Sequence, residues 1–133
     1  MATNTAGSKA RDLVVQAVHS MRKSITFDGS LTGSMPAELP DGAIIVGASV
    51  HVFTAFDAGT ANTINIGVSG EADRFMSAGS LAAAADVPFD DLVLANRKMS
   101  GNTDITYAMT LSGTAATAGQ ADIVIQYIPN NDG

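Results

Sequence analysis

The chain contains no cysteine and no tryptophan. Without thiols there is no disulfide and no thiolate metal site. Stability has to come from the core, from self-association, or from both. Aromatic residues make up only 5% of the sequence, with Tyr107 and Tyr127 the sole tyrosines. A sugar-stacking platform therefore has little to build on, and any interface must rely on aliphatic packing and backbone pairing. Cations are scarce as well: seven Lys and Arg stand against thirteen carboxylates, for a net charge of −6. Phosphate neutralisation needs clustered Lys and Arg, which argues against nucleic acid as a partner. No apolar run approaches the ~20 residues that cross a bilayer, so no membrane partner is expected. The opening Met-Ala-Thr-Asn-Thr-Ala-Gly-Ser-Lys has no basic stretch followed by an apolar run, which argues against a secretion signal and for synthesis in a cytoplasm.

What is present is a chain of 133 residues, 46% hydrophobic, rich in Ala, Val and Ile. That length suits one domain with its own core. Charge is unevenly placed. Residues 1–27 carry Lys9, Arg11, Arg22 and Lys23 against Asp12 alone, whereas the rest carries Arg74, Arg97 and Lys98 against twelve carboxylates. One reading is ordinary solubilising charge. The other is a basic arm that reaches onto an acidic neighbour, another copy included.

Two-residue alternation dominates the rest. Residues 13–19, Leu-Val-Val-Gln-Ala-Val-His, read as a strand or a short helix, with β-branched content favouring strand. Ile25-Thr-Phe27 alternates and closes at Asp28-Gly29. Gly29, Gly33, Pro36, Pro40 and Gly42 mark a loop or an irregular edge. From Ala43 to Phe56, Val46, Ala48, Val50 and Val52 fall on one face, and Gly47, Ser49, His51 and Phe53 on the other. Ile64, Ile66 and Val68 form a second alternating run, expected to pair antiparallel with the first. Residues 75–86 read as a loop with one helical turn near Ala82–Ala85, capped by Ser80. Residues 87–95 resume an apolar run with Phe89, Leu92 and Leu94, and further strands are expected around Ile105–Leu111 and Ile123–Ile128, the last apolar on both faces. Seven or eight short strands between turns predict an all-β chain, a jelly-roll-like antiparallel β-sandwich or barrel with an extended N-terminal arm. The expected divisions are an arm over residues 1–24 that includes a possible first strand, a sandwich over 25–129, and a tail over 130–133.

Residues able to do chemistry are few. His19 and His51 are the only histidines, and a strand histidine at an interface is the simpler reading of His51. Gly67-Val-Ser69-Gly70-Glu71 misses the nucleophile-elbow pattern, which needs glycine where Glu71 stands. Asp86, Asp90, Asp91 and Asp57 lack the regular ladder of a calcium loop and read as a solvated acidic edge. No phosphate-cradling glycine motif occurs. No catalytic residue, cofactor or metal is implied, and the chain is expected not to be an enzyme.

Residues 39–56, Leu-Pro-Asp-Gly-Ala-Ile-Ile-Val-Gly-Ala-Ser-Val-His-Val-Phe-Thr-Ala-Phe, run on into Asp57-Ala-Gly-Thr, Ile64-Asn-Ile-Gly67 and Ala72-Asp-Arg-Phe75. This run resembles small virion structural proteins of tailed bacteriophages, of the capsid decoration or cement type. The resemblance implies a structural role on the capsid exterior, with the major capsid protein as partner and self-association as a homotrimer. On that reading the arm residues Lys9, Arg11, Arg22 and Lys23 grip the shell. Ile123, Ile125, Tyr127 and Ile128 are the candidate oligomer interface. Two rival classes are a receptor- or glycan-binding tail or fibre module, and a β-sandwich hydrolase with His19 or His51 beside a carboxylate in a pocket.

Overall fold

The computed structural model of the chain describes residues 18–92 and 94–129. Among the described residues eight strands run in chain order: β1 (His19–Thr26), β2 (Thr32–Ser34), β3 (Ile44–Thr54), β4 (Ala61–Val68), β5 (Glu71–Ser80), β6 (Asp86–Pro88), β7 (Thr106–Ser112) and β8 (Gln120–Ile128). They form two antiparallel four-stranded sheets. Sheet I has the order β1-β8-β3-β6 and sheet II the order β2-β7-β4-β5. Chain neighbours mostly alternate between the sheets, and the first and last strands pair, Lys23 opposite Ile123. This interleaving is that of an eight-stranded jelly roll.

The inner faces meet in one core. Sheet I contributes Ile45, Val50, Ile123 and Ile125, and sheet II contributes Ile64, Ile66, Phe75 and Met76, all fully buried. Loops close the ends. Leu39 and Leu81 are buried there, and Leu81 is held by mutual closure: its N–H donates to Asn62 and its carbonyl accepts from Phe56. Phe75 and Phe89 stack at 6.4 Å between ring centroids. In the turn joining β4 to β5, Gly70 takes φ = +87°, a conformation costly for any residue with a Cβ.

Several expectations are corrected. β3 does not pair with β4: it lies between β8 and β6 in sheet I, while β4 lies between β7 and β5 in sheet II. Asp57–Thr60 therefore carries the chain from one sheet to the other, and does not close a hairpin. Val46 is not on the buried face. The register slips between Ile45 and Gly47, so Ile45 points inward and Val46 outward, 39% exposed. A bulge adds one residue and re-aims the side chains that follow. Residues 75–80 belong to β5, because Phe75 and Met76 fill the core opposite Ile66. Ala82–Ala85 form no helix: they are exposed, and four alanines without a packed face cannot nucleate one. The Ser80 hydroxyl instead accepts a local bond from Ala82 N–H. The apolar stretch after β6 turns into a single helical turn, Leu94–Arg97.

The sandwich begins at His19, inside the stretch assigned to the arm, so Arg22 and Lys23 sit on β1. Lys9 and Arg11 lie outside the described residues.

Candidate functional site

Cross-strand partners in a sheet share a face. In sheet I, Ser24 pairs with Asp122, Asp122 with His51, and His51 with Asp86. Four polar side chains thus form a row across all four strands on the outer face. Ser24 Oγ donates to Asp122 Oδ1 at 2.8 Å. Arg22 Nε lies 3.5 Å from Asp122 Oδ2. His51 Nδ1 lies 3.2 Å from Asp86 Oδ1. Asp122 faces outward yet is only 6% exposed, because side chains of the flanking strands cover it. A carboxylate so shielded needs partners, and Ser24 and Arg22 supply them.

Next to the row, Gly47, Ser49, His51, Asp86, Val124 and Gln126 line a shallow depression of about 140 Å³. A histidine beside a carboxylate is what the hydrolase reading asks for. Nucleophilic catalysis also needs a hydroxyl bonded to the imidazole. Among the described residues no hydroxyl bonds to His51, and Ser24 is committed to Asp122. Also among the described residues, no group of three or more His, Asp or Glu side chains is placed to hold a metal ion. The arrangement can do recognition: a charged row on a flat face of small residues.

Large apolar side chains frame that face. Ile44 and Val46 are exposed at one end of β3, Phe53 is 58% exposed at the other, and Val18 stands exposed where residues 1–17 join β1. Phe53 looks outward by plain alternation, one residue after inward Val52, on the face where the sequence placed it.

Of the predicted interface residues, Ile123 and Ile125 are fully buried between the sheets and offer no surface to a neighbour. β8 is a central strand, so the inward half of its apolar pattern is spent on the chain's own core. Its outward half is Asp122, Val124 and Gln126. Tyr127 and Ile128 are partly exposed at the strand's end, where Tyr127 stacks on His19 at 5.7 Å and Ile128 pairs with Ile44. Arg22 and Lys23 lie on edge strand β1, Arg22 tied to Asp122 and Lys23 half-exposed.

No family model matches the chain, and no curated protein does. Solved structures share its fold, among them two from bacteriophage capsids. A chain in the capsid asymmetric unit of cyanophage Pam1 superposes with a TM-score of 0.67 at 22% identity, covering 96% of this chain and 98% of that one. A chain in the acidic stable capsid structure of Helicobacter pylori bacteriophage KHP30 gives 0.65 at 14% identity, covering 86% of this chain and 90% of that one. At these identities the likeness is one of fold, and it extends over nearly all of both chains.

Proposed function

We propose that this chain is a virion structural protein of a tailed bacteriophage, a decoration or cement subunit that binds the major capsid protein on the outside of the head and stabilises the shell. The observation that carries the reading is the shared jelly roll: two chains from phage capsid structures match it almost end to end, so in each a separate polypeptide of about this size is part of a capsid. The role is non-enzymatic and self-association is as a homotrimer. Contact with the shell is made by the N-terminal arm, with Lys9 and Arg11, and by the outer face of sheet I. Many identical contacts across a shell act together, so each can be weak by itself.

Deletion of residues 1–12 tests the arm. Binding to capsids lacking this protein is expected to weaken at least tenfold (about 1.4 kcal/mol) and to lose most of its salt dependence. Unchanged affinity would overturn the arm contact, and no binding by the intact chain would overturn the capsid role.

A further inference from the structure

Beyond residue 27 the sequence has three cations, Arg74, Arg97 and Lys98, among twelve carboxylates. Two of the three line one cavity. Val68, Arg74, Lys98, Met99, Ser100 and Thr103 enclose about 260 Å³ at one end of the sandwich. The third, Arg97, neighbours Lys98 in the chain and is already occupied, its Nε donating to Leu92 O at 2.8 Å. Beyond β1, which carries Arg22 and Lys23, gathering the positive charge of so acidic a stretch at one concave place makes a local field there.

The walls are fixed by backbone. Met99 N–H donates to Ala43 O at 2.8 Å and Met99 O accepts from Gly42 N–H at 3.0 Å, which pins the segment carrying Lys98 and Ser100. Thr103 and Leu39 exchange two bonds, at 2.8 and 2.9 Å. The Arg74 guanidinium sits 5.9 Å over the Phe75 ring, and Arg74 O accepts from Asn96 Nδ2 at 3.4 Å. Among the described residues Glu71 is the carboxylate that competes for Arg74, its Oε1 3.3 Å from Arg74 Nη1, with the glutamate side chain 56% exposed. An exposed ion pair of that kind is weak and readily exchanged.

We propose that this cavity is a docking site for a carboxylate-bearing side chain of a partner polypeptide, an acidic peptide segment. The carboxylate sits between the Arg74 guanidinium and the Lys98 ammonium, with the Ser100 hydroxyl free to donate. The volume exceeds what an isolated oxyanion fills, and Val68 and Met99 supply an apolar wall for a methylene stem. A bare phosphate uses the charge and leaves that wall idle. The site goes beyond the capsid reading: it specifies a ligand chemistry, whatever particle the chain occupies.

Titration with N-acetylglutamate amide, followed by amide NMR at constant ionic strength, tests the site in the full chain. The expected result is saturable shifts confined to residues around Met99, Ser100 and Thr103, with none from the neutral N-acetylglutamine amide. Lys98→Gln, at an exposed position, is expected to weaken binding by about tenfold. Glu71→Gln, which frees Arg74, is expected to strengthen it. Equal shifts from the glutamine compound, or an affinity untouched by Lys98→Gln, overturn the proposal. Inorganic phosphate binding the same residues as tightly as the glutamate compound overturns the side-chain assignment and leaves a plain oxyanion site. Capsid binding by the intact chain is a separate measurement, so failure here and failure of the virion role are distinguishable.

Discussion

The two sheets present matched inner faces and unlike outer ones. Inside, each contributes large aliphatic side chains with no exposure, Ile123 and Ile125 from sheet I and Ile64 and Ile66 from sheet II. Outside, the paired positions of sheet II are short and polar or small: Thr32, Ser34, Thr63, Asn65, Thr106, Ala108 and Thr110. The outer face of sheet I carries a shielded carboxylate, a histidine–aspartate pair, and exposed Ile44, Val46 and Phe53. The inner match makes the fold. The outer surplus on sheet I contributes little to folding, since exposed apolar side chains gain nothing from staying in water. Such a surplus is expected where a surface meets a neighbour.

The largest expected effects test the symmetry of the inner faces. Ile125→Ala and Ile66→Ala should each cost about 2–5 kcal/mol in urea unfolding, since both remove fully buried side chains from one core. A large disparity would mean that one sheet dominates the core. Next comes the contrast between the outer faces. Ser24→Ala should cost about 1–3 kcal/mol by stripping a bond from the shielded Asp122. Thr110→Ala, exposed on sheet II, should stay within about 0.5 kcal/mol. Comparable losses from the two would erase the distinction.

A smaller, stabilising change is expected at Ala78 on β5, where a bulge holds φ at +53° and Asn65 Oδ1 accepts the Ala78 N–H at 2.7 Å. A left-handed conformation costs a residue with a Cβ about 1–2 kcal/mol, and glycine gives back about 0.5–1 kcal/mol in chain entropy. Ala78→Gly should therefore raise stability by about 0.5–1 kcal/mol, measurable as a higher unfolding midpoint.

The smallest effect is expected at Asp57, in the turn that links the sheets. Its carboxylate accepts from Thr117 Oγ1 and N–H at 2.7 Å and from Ala118 N–H at 3.0 Å. The Thr117 hydroxyl, then the two amides, hold its pKa below the ordinary 3.8. The folded value lies below the unfolded one. The contribution is therefore complete above the unfolded value and is lost as pH falls through the folded one. Asp57→Asn should lower the unfolding midpoint at neutral pH, with the gap to the parent closing as acidification passes below 3.8. A gap that persists into strong acid would show that charge at Asp57 is not what holds the turn.

Strand existence was legible in the sequence wherever alternation ran unbroken, as along β7 and β8. Facing was legible only up to the bulges. One extra residue turned Val46 outward, and period-two reading has no means of seeing it. Three-residue β2, inside a Gly- and Pro-rich stretch, is too short to leave a pattern. Pairing was the weakest link, because jelly-roll neighbours are distant in the chain: Ser24 and Asp122 are 98 residues apart yet share a hydrogen bond. For the same reason the polar row could not be read in advance, since its members come from four strands. The one available signal was an aspartate in the middle of an otherwise apolar strand, Ala121-Asp-Ile-Val-Ile125, where a charge needs a partner.

Hydroxyl-radical footprinting of the chain, free and on assembled phage heads, shows whether the outer face of sheet I meets a neighbour. Strong protection on the particle is expected at Val18, Ile44, Val46 and Phe53, with Thr32 and Thr110 on the outer face of sheet II labelled as in the free chain. Equal labelling of sheet I in both states, or protection confined to sheet II, would contradict that contact.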